Sequence, residues 1–249
     1  MAQKLTGKVA IVTGASKGIG ASIALHLAKK GAAVVVNYAS SKEDAQKVVA
    51  EIVRIGGKAV AIQANVANPA DIERLFSEAS QTFGKIDILV NNAGVYEFTP
   101  IEDITKEHFN KIFDLNVLGL LLTIKEAIKY FGNSGSIVNI SSVASTSAPA
   151  MATIYSASKA AVDSITKSLG KELGPRNIRI NSINPGLVET EGTHTAGIIE
   201  SDFRKIAEAQ TPLGRIGLPA DIAPAVVFLV SDEASWITGE TLFISGGYR

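Results

Sequence analysis

Short apolar runs alternate with longer stretches of helical period along the whole chain. The predicted strands, rich in β-branched residues, are 9–13, 33–38, 58–64, 86–91, 136–142, 178–184 and 242–245. The predicted helices are 19–30, 42–55, 70–83, 109–130, 155–173 and 220–230. Because strands that alternate with helices form parallel sheets, this order predicts an α/β fold: a doubly wound parallel sheet of about seven strands with helices on both faces. The continuous apolar character of the runs indicates burial of both sheet faces.

No linker, repeat or change of composition divides the 249 residues. A chain of this length can bury a large core as one unit, so we expect a single domain over residues 1–249. The longest departure from the alternation is the segment 187–213, which is polar and contains glycines. Long irregular segments inside compact domains often cover active sites, and we interpret 187–213 as a substrate lid.

Composition excludes several classes of function. Lys plus Arg equals Asp plus Glu at 24 each, so the chain lacks the basic field that gathers nucleic acid. Cysteine is absent, which excludes disulfides and thiol chemistry. The first residues lack the apolar core of a secretory signal, and no apolar run approaches the ~20 residues that span a bilayer, so we expect a soluble cytoplasmic protein. The histidines, His26, His108 and His194, are scattered without ligand-like spacing, and no metal is expected.

A glycine-rich turn follows the first predicted strand and opens the first predicted helix. Its glycines are Gly14, Gly18 and Gly20. Glycine lets the backbone approach a pyrophosphate closely, and the helix N-terminus offers unpaired N–H groups with a partial positive charge. The turn therefore predicts a dinucleotide phosphate site, although a tight strand-to-helix turn without a ligand has the same local pattern.

Further blocks in the chain decide between these alternatives. The three residues between Gly14 and Gly18 depart from the usual dinucleotide spacing, and the chain resembles the short-chain dehydrogenase/reductase family, whose fold is of the Rossmann type. The other blocks that carry the resemblance, in the family's order, are Asn91-Asn92-Ala93-Gly94, Asn116, Ser142, Tyr155-Ser156-Ala157-Ser158-Lys159, Pro185-Gly186 with Thr190, and Ser245-Gly246-Gly247. The resemblance covers essentially the whole chain.

Tyr155 and Lys159 are four residues apart, so they share one face of a helix. A neighbouring ammonium favours a phenolate, and we expect Lys159 to lower the pKa of Tyr155. The resemblance implies that Lys159 also bonds the nicotinamide ribose, Ser142 holds the substrate oxygen and Asn116 supports a proton relay. Each residue alone has an ordinary structural reading. Together the four predict hydride transfer between nicotinamide and a carbonyl or secondary alcohol, with Tyr155 transferring the proton.

The expected cofactor contacts come from several blocks. They are Gly14, Ser16, Lys17, Gly18, Ile19, Gly20, Asn37, Tyr38, Ala39, Ser40, Asn65, Val66, Asn92, Ala93, Gly94, Tyr155, Lys159, Pro185, Gly186, Val188 and Thr190. NAD-preferring folds usually end the second strand with a carboxylate, whereas this chain has Asn37 there. Asn37, the Ser40 and Ser41 hydroxyls and Lys17 can receive a 2′-phosphate, so we predict preference for NADP(H). NAD(H) stays possible, because Lys17 can be a solvated loop charge and Asn37 can bond a ribose hydroxyl.

In its overall sequence pattern the chain resembles 3-oxoacyl-acyl-carrier-protein reductases, which bind an acidic carrier protein. Where that subfamily has arginines this chain has Gly132 to Ser136, although Arg176 is retained. A small ketone or alcohol is therefore favoured over a carrier-bound substrate, which remains the alternative. The predicted substrate pocket is Ser142, Val143, Ala144, Met151, Ile154 and Leu187. The resemblance further implies a homotetramer, and a dinucleotide-binding regulator without turnover is the alternative of another class.

Overall fold

A computed structural model describes residues 4–248 of the protein. Seven parallel strands form one sheet in the order β3-β2-β1-β4-β5-β6-β7. The strands are β1 (Val9–Val12), β2 (Ala33–Tyr38), β3 (Lys58–Gln63), β4 (Ile86–Asn91), β5 (Phe131–Ile140), β6 (Ile178–Pro185) and β7 (Thr241–Ile244). This arrangement confirms the predicted doubly wound α/β fold.

Helices lie on both faces of the sheet. They are α1 (Gly18–Lys29), α2 (Lys42–Arg54), α3 (Pro69–Phe83), α4 (Lys106–Phe113), α5 (Leu120–Tyr130), α6 (Ala144–Ser147), α7 (Thr153–Leu173), α8 (Glu191–Thr195), α9 (Asp202–Gln210) and α10 (Pro219–Val230). Short 3₁₀ turns occupy Ile101–Asp103, Gly174–Arg176 and Asp232–Ala234. Among residues 4–248 no helix is long and apolar enough to cross a membrane.

Side chains that alternate along the strands build two separate cores. Ala10 and Val12 of β1 pack with α1, α2 and α10, whereas Val9 and Ile11 pack with α3, α5 and α7. Successive strand residues point to opposite faces, so every central strand must be apolar on both sides. This explains why continuous apolar runs in the sequence predicted the strands well.

Three predicted elements differ from the structure. The fifth strand begins at Phe131 instead of residue 136, because the parallel pairing of β4 with β5 continues past an irregularity between Ile86 and Ile88. The predicted helix 109–130 is divided into α4 and α5 by a π-helical turn, Asp114–Gly119. The segment 187–213, predicted as an irregular insertion, contains the two helices α8 and α9.

The order of the strands positions the functional residues. Chain direction across the sheet reverses between β1 and β4, which are neighbours although β2 and β3 come between them in sequence. Loops that leave the carboxyl ends of β1 and β4 therefore diverge and leave a crevice, where ligands bind in open α/β sheets. The glycine turn and the Asn-Asn-Ala-Gly block follow these two strands and meet at this edge.

Candidate active site

The turn between β1 and α1 is closed tightly against the end of β4. The side-chain amide of Asn92 donates to the carbonyl oxygens of Thr13 and Gly14, both at 2.9 Å. A Cβ atom on Gly20 would lie 2.5 Å from the Gly14 oxygen and from Asn92 Nδ2, which is closer than real Cβ atoms approach. Only glycine fits there without a backbone shift, so the turn requires the residue that the sequence has.

The N-terminus of α1 already binds an anion from this chain. Gly18, with φ of +53°, donates its N–H to a carboxylate oxygen of Glu191 at 3.0 Å. The side chain of Lys17, the residue before the helix, does not cap it. Glu191 thus occupies the place where a helix N-terminus attracts a phosphate, and its carboxylate acts as a stand-in anion. The arrangement fits a dinucleotide diphosphate.

The environment of Asn37 differs from the one predicted for a cofactor contact. Its side chain is 1% exposed, accepts from the Gly14 N–H at 3.2 Å and donates to the Ala64 carbonyl oxygen at 3.0 Å. These bonds tie the glycine turn to the ends of β2 and β3, and burial leaves the amide out of reach of a 2′-phosphate. The prediction that Asn37 receives this phosphate is therefore wrong. The error arose because successive strand residues face opposite sides, and Asn37 faces inward.

The other predicted phosphate-binding side chains lie at the surface. Lys17 precedes α1 and forms an ion pair with Asp44 at 3.0 Å, with 48% of its side chain exposed. Ser40 is exposed beyond the end of β2. Lys47 forms a second ion pair with Asp44 at 2.9 Å. Asp44 is therefore shared by two exposed lysines, and Lys17 has solvent access on its other side.

The remaining predicted contacts lie along the same crevice. Tyr38 and Val66 are buried, while Ala39 is exposed. The Oδ1 atom of Asn65 accepts from the Ala67 N–H at 3.1 Å, which leaves a second lone pair for a ligand. Nine of the predicted cofactor contacts line one cavity: Ile19, Asn92, Gly94, Tyr155, Lys159, Pro185, Gly186, Val188 and Thr190.

Asn116 lies in the π-helical turn and is 2% exposed. Its amide donates to the Val95 carbonyl oxygen at 2.8 Å and to Ser158 Oγ at 3.1 Å, while its Oδ1 accepts from the Val95 N–H at 2.9 Å. The side chain therefore joins the loop after β4 to α7. Such turns often mark functional sites, because they interrupt the regular helical hydrogen bonds.

Ser142 follows β5 and faces the cavity. Its hydroxyl oxygen accepts from the Ala144 N–H at 3.1 Å, and its backbone oxygen accepts from the Asn184 side chain at 3.0 Å. Ser142 also hydrogen-bonds Tyr155, which favours the ionised phenol and opposes the rise that burial causes in the pKa of Tyr155. The backbone and the hydroxyl are both held by neighbours, so the serine is oriented before any ligand binds.

Tyr155 and Lys159 lie on one face of α7, as predicted. Burial raises the pKa of Tyr155 above its usual value, with the Ser142 hydrogen bond opposing. Burial lowers the pKa of Lys159 to about 8, with the charge of Asp163 opposing. Lys159 Nζ lies 5.8 Å from the centre of the Tyr155 ring and donates to the Ile140 carbonyl oxygen at 2.9 Å. The predicted lowering of the Tyr155 pKa by Lys159 is therefore not found: the pKa is raised by burial, and the contact that opposes the rise is the hydrogen bond with Ser142.

We refer to Asn116, Ser142, Tyr155 and Lys159 as the tetrad. The structure brings these four residues together from the π-helical turn, the end of β5 and helix α7. Near neutral pH the phenol of Tyr155 is protonated, because its pKa is raised, and Lys159 is mainly an ammonium. The arrangement can donate a proton from Tyr155 to an oxygen that Ser142 also bonds.

A cavity of about 280 Å³ opens above Tyr155 and Ser142. Of the predicted pocket residues, Val143, Ala144 and Leu187 line it together with Ser142. Met151 and Ile154 are not among the lining residues: Met151 is 51% exposed, and Ile154 is 6% exposed in the packing of α7. Their inclusion was wrong: Ile154 is buried in the packing of α7, and Met151 lies before the start of this helix with half of its surface exposed.

Several lining residues were missed from the sequence. Tyr96 and Phe98 follow the Asn-Asn-Ala-Gly block, and the Tyr96 ring meets the Tyr155 ring edge-on at 6.1 Å. The other missed residues are Val95, Ile140, Ser141, Ser147, Pro149 and Tyr248. Thr193, Ile198, Phe203, Ile206, Ala207, Gln210 and Thr211 also line the cavity and belong to the segment 187–213 that was predicted as a substrate lid. Two aromatic residues directly after a cofactor block were an available signal. The contribution of Tyr248, close to the end of the chain, had none.

The segment 187–213 forms one wall of the cavity and is held by exposed charges. His194 lies between Glu200, at 2.6 Å from Nδ1, and Glu189, at 3.0 Å from Nε2. Arg204 pairs with Glu208 at 2.9 Å. The apolar packing beneath is small and consists of Ile199, Ala207, Ile216 and Leu187.

Comparison with known proteins agrees with this geometry. A family model described as enoyl-(acyl carrier protein) reductase matches residues 14–249. An uncharacterized oxidoreductase of Methylorubrum extorquens is 56% identical over 246 residues, covering 99% of each chain. A hydroxynaphthalene reductase-like protein of Metarhizium robertsii is 40% identical, covering 98% of this chain and 96% of its own. A short-chain dehydrogenase from Burkholderia cenocepacia, solved in complex with NADP, is 36% identical with a TM-score of 0.93 over 98% of each chain.

Proposed function

The chain belongs to the short-chain dehydrogenase/reductase family, and from this premise we propose that it is a ketoreductase that interconverts small ketones and secondary alcohols with NADP(H). The observation that carries the proposal is the protonated phenol of Tyr155, which lies with Ser142 at the base of an apolar cavity. The same cavity reaches Ile19 and Asn92 beside the glycine turn. A substrate carbonyl and a cofactor can therefore meet above one proton donor.

The chain's residues divide the work of binding. The N-terminus of α1 takes the diphosphate in place of Glu191, and Lys159 holds the nicotinamide ribose. When bound, the reduced nicotinamide supplies the hydride. Apolar lining residues such as Val143 and Leu187 keep water from the reacting carbon.

The four residues of the tetrad have different roles during reduction of a ketone. Ser142 donates a hydrogen bond to the carbonyl oxygen, which polarises the carbonyl group. Tyr155 then gives its phenolic proton to that oxygen as negative charge develops there. Lys159 stabilises the resulting phenolate, and Asn116 fixes the loop after β4 and Ser158 around it. Oxidation of an alcohol uses the same groups in reverse.

The pKa directions favour reduction near neutral pH. The raised pKa of Tyr155 keeps its proton available, and the pKa of Lys159, at about 8, keeps most of the ammonium charged. Above about pH 8 the lysine loses its charge and stabilises the phenolate less. We therefore expect the reduction rate to fall on the alkaline side of this value.

Preference for NADP(H) rests on the corner between Lys17 and Ser40. Residues 38–41, at the end of β2 and just after it, contain no carboxylate. The side chain of Lys17 is 48% exposed, so a ligand at the surface can contact it. A 2′-phosphate can replace Asp44 as the partner of Lys17. We expect Lys17→Ala to lower kcat/KM for NADPH about thirtyfold and to leave kcat/KM for NADH nearly unchanged. Equal losses with both cofactors would contradict the proposal.

The cavity favours a flat, apolar substrate. The rings of Tyr96, Phe98 and Phe203 line it, and aromatic faces pack well against aromatic ketones. A relative's description as hydroxynaphthalene reductase-like points to the same substrate class. A carrier-bound acyl group is the second candidate, supported by the description of the family model. The absence of arginines in residues 132–136 argues against it.

We further propose that residues 1–249 form one domain, that the segment 187–213 closes over the substrate, and that the protein is a homotetramer. Helices α8 and α9 belong to this segment and line the cavity. Exposed ion pairs, such as that between His194 and Glu200, hold them in place. Exposed apolar side chains support assembly: Phe109 stacks on Phe113 at 4.3 Å, and Trp236 is 98% exposed. A light-scattering mass of a single 26.1 kDa chain would contradict the tetramer.

The direct test is oxidation of NADPH, and separately NADH, with a panel of aryl ketones, keto esters, sugars and an acetoacetyl thioester. We expect turnover of free aryl ketones that falls at least about a thousandfold in Tyr155→Phe, which keeps the ring and removes the proton. Tyr96→Phe is the matched control, since it removes a neighbouring phenolic hydroxyl on the same cavity.

Each other outcome selects another function. Turnover confined to the thioester would favour the carrier-bound substrate. Tight cofactor binding by calorimetry without turnover of any substrate would favour a dinucleotide-binding regulator. Equal activity of wild type and Tyr155→Phe would overturn the assignment of Tyr155 as proton donor.

A further inference from the structure

A carboxylate that the proposed reaction does not use is buried on α7, one helical turn beyond Lys159. Asp163 is 8% exposed. Burying a carboxylate costs free energy unless its oxygens are bonded, and an amide or hydroxyl could fill the same volume with a smaller penalty. The presence of a charged group here therefore calls for a physical reason.

Two residues of β6 hold the Asp163 carboxylate. Ser182 Oγ lies 3.2 Å from Oδ1, and the Asn184 side-chain amide donates to Oδ2 at 2.9 Å. Ser182 and Asn184 are two positions apart on the strand, so both face α7, and neither side chain is exposed. The carboxylate thus fixes α7 against the end of β6.

Asn184 also connects the Asp163 carboxylate to Ser142, the residue that would bond the substrate. Its amide nitrogen also lies 3.0 Å from the Ser142 backbone oxygen and 2.9 Å from Ser145 Oγ. One amide therefore joins the Asp163 carboxylate to the loop after β5. Asn184 thus contributes to the position of the Ser142 backbone, and its nitrogen has two hydrogens for the three acceptors around it.

Asp163 also acts on Lys159 through its charge. The two residues are four positions apart and share a face of α7. Burial lowers the pKa of Lys159 to about 8, and the Asp163 charge opposes that decrease. The other titratable groups around Lys159 are phenols: the Tyr155 ring centre is 5.8 Å from Nζ, and Tyr96 packs edge-on against that ring. Asp163 is the carboxylate whose charge reaches the ammonium.

We propose that Asp163 is a positioning residue for the reaction, which holds the Ser142 backbone through Asn184 and keeps Lys159 charged. This proposal rests on the proposed roles of Ser142 and Lys159. Its two parts separate experimentally: Asp163→Asn removes the charge and keeps the shape, whereas Asn184→Ala keeps the charge and breaks the link to Ser142. Thr166→Val is the matched control. Thr166 is fully buried on the same helix and bonds Asn139, away from Ser142 and Lys159.

The first measurement needs no catalysis. Trace acetylation of the cofactor-free protein over a pH series, quantified by mass spectrometry, gives the pH midpoint at which Lys159 becomes reactive. We expect this midpoint to fall by about one pH unit in Asp163→Asn and to stay unchanged in Asn184→Ala and Thr166→Val. An unchanged midpoint in Asp163→Asn would overturn the electrostatic part.

The second measurement is the pH profile of ketone reduction. We expect the alkaline limb of kcat/KM for NADPH to shift to lower pH in Asp163→Asn, and kcat to fall about tenfold in Asn184→Ala without a shift of the limb. Asp163→Glu retains the charge and should retain the limb, which keeps the test valid if Asp163→Asn does not fold. A kcat of Asn184→Ala equal to that of Thr166→Val would overturn the link to Ser142.

Failure of the proposed function gives a different result. If wild-type protein reduces no ketone, the proposed function fails, while the acetylation midpoints still decide whether Asp163 sets the charge of Lys159.

Discussion

The tetrad and the segment 187–213 face each other across one cavity and are built in opposite ways. Asn116 and Lys159 are almost fully buried, and each donates to a backbone carbonyl oxygen within 2.9 Å. The segment 187–213 relies instead on exposed side chains, with His194 between Glu189 and Glu200. Buried hydrogen bonds are costly to break, whereas exposed ion pairs contribute little to stability.

This difference separates two requirements of the proposed reaction. Proton transfer needs a fixed geometry, to which the buried and hydrogen-bonded side chains of Asn116 and Lys159 contribute. We propose that the segment 187–213 opens for substrate entry, and the small apolar cluster below α8 and α9 would keep the cost of opening low. Substitutions in the tetrad should therefore change kcat, while substitutions in the segment 187–213 should change KM or ligand affinity.

After the loss expected for Tyr155→Phe, the largest effect is expected for Asn116→Ala. The change removes three hydrogen bonds that join Val95 and Ser158, so the loop after β4 loses its attachment to α7. We expect kcat for ketone reduction to fall about a hundredfold with little change in KM, as steady-state kinetics would measure. Asn110→Ala, an exposed asparagine on α4, is the control. A kcat close to that of the control would remove the contrast between the two regions.

A smaller effect of another kind is expected for Phe203→Ala in α9. The Phe203 ring lines the cavity and is 44% exposed, so its loss removes apolar contact with the substrate while sacrificing little core packing. We expect KM for an aryl ketone to rise about tenfold with kcat nearly unchanged. Phe228→Ala, 39% exposed on α10, is the matched control. A fall in kcat at unchanged KM would assign Phe203 to the chemistry instead.

Glu191→Gln tests whether the segment competes with the cofactor. The Glu191 carboxylate accepts from the Gly18 N–H where a diphosphate would bind, so removing its charge should remove a competitor. We expect the Kd of NADP⁺ from calorimetry to decrease about fivefold. Glu208→Gln, whose carboxylate pairs with Arg204 in the same segment, should leave Kd unchanged. Weaker binding by Glu191→Gln would show that Glu191 supports the cofactor.

The smallest effect is a pH dependence of the segment 187–213. Hydrogen bonding to Glu200, and then to Glu189, raises the pKa of His194. The stabilising charge is fully present below the unfolded histidine pKa of about 6.5 and is lost as pH rises through the higher folded value. We expect limited proteolysis within the segment to accelerate about twofold between about pH 6 and 8.

His194→Gln should abolish this pH dependence. His26→Gln should preserve it, because His26 bonds the Ser22 carbonyl oxygen on α1, away from the segment. Identical pH dependence in wild type and His194→Gln would mean that the histidine does not hold the segment.

The sequence predicted the sheet closely, because a parallel strand that is buried on both faces appears in the sequence as a short run of consecutive apolar residues. The limits of β2 and β4 agree with the predicted 33–38 and 86–91. It also placed the glycine turn at a strand-to-helix junction, where the structure has it. The positions of Tyr155 and Lys159 on one helix face followed from a spacing of four residues.

Side-chain direction was harder to predict than position. Asn37 stands at the end of β2, as expected, yet it faces the interior and bonds Gly14 and Ala64. Met151 is close to Tyr155 in sequence, but its side chain is exposed and does not line the cavity. Both errors concern which way a residue points, and that depends on neighbours distant in the chain.

The sequence by itself determined the α/β order, the glycine turn and the shared helix face of Tyr155 and Lys159, since these follow from local spacing and period, whereas Asn116 and Ser142 were identified only by the family resemblance. Only the tertiary structure decided the pKa directions of Tyr155 and Lys159, the aromatic lining from Tyr96 to Tyr248, and the contacts of Glu191 and Asp163. Burial and charge depend on atoms that several elements bring together, such as β5, β6 and α7 around Asn184. No single stretch of sequence contains those distances.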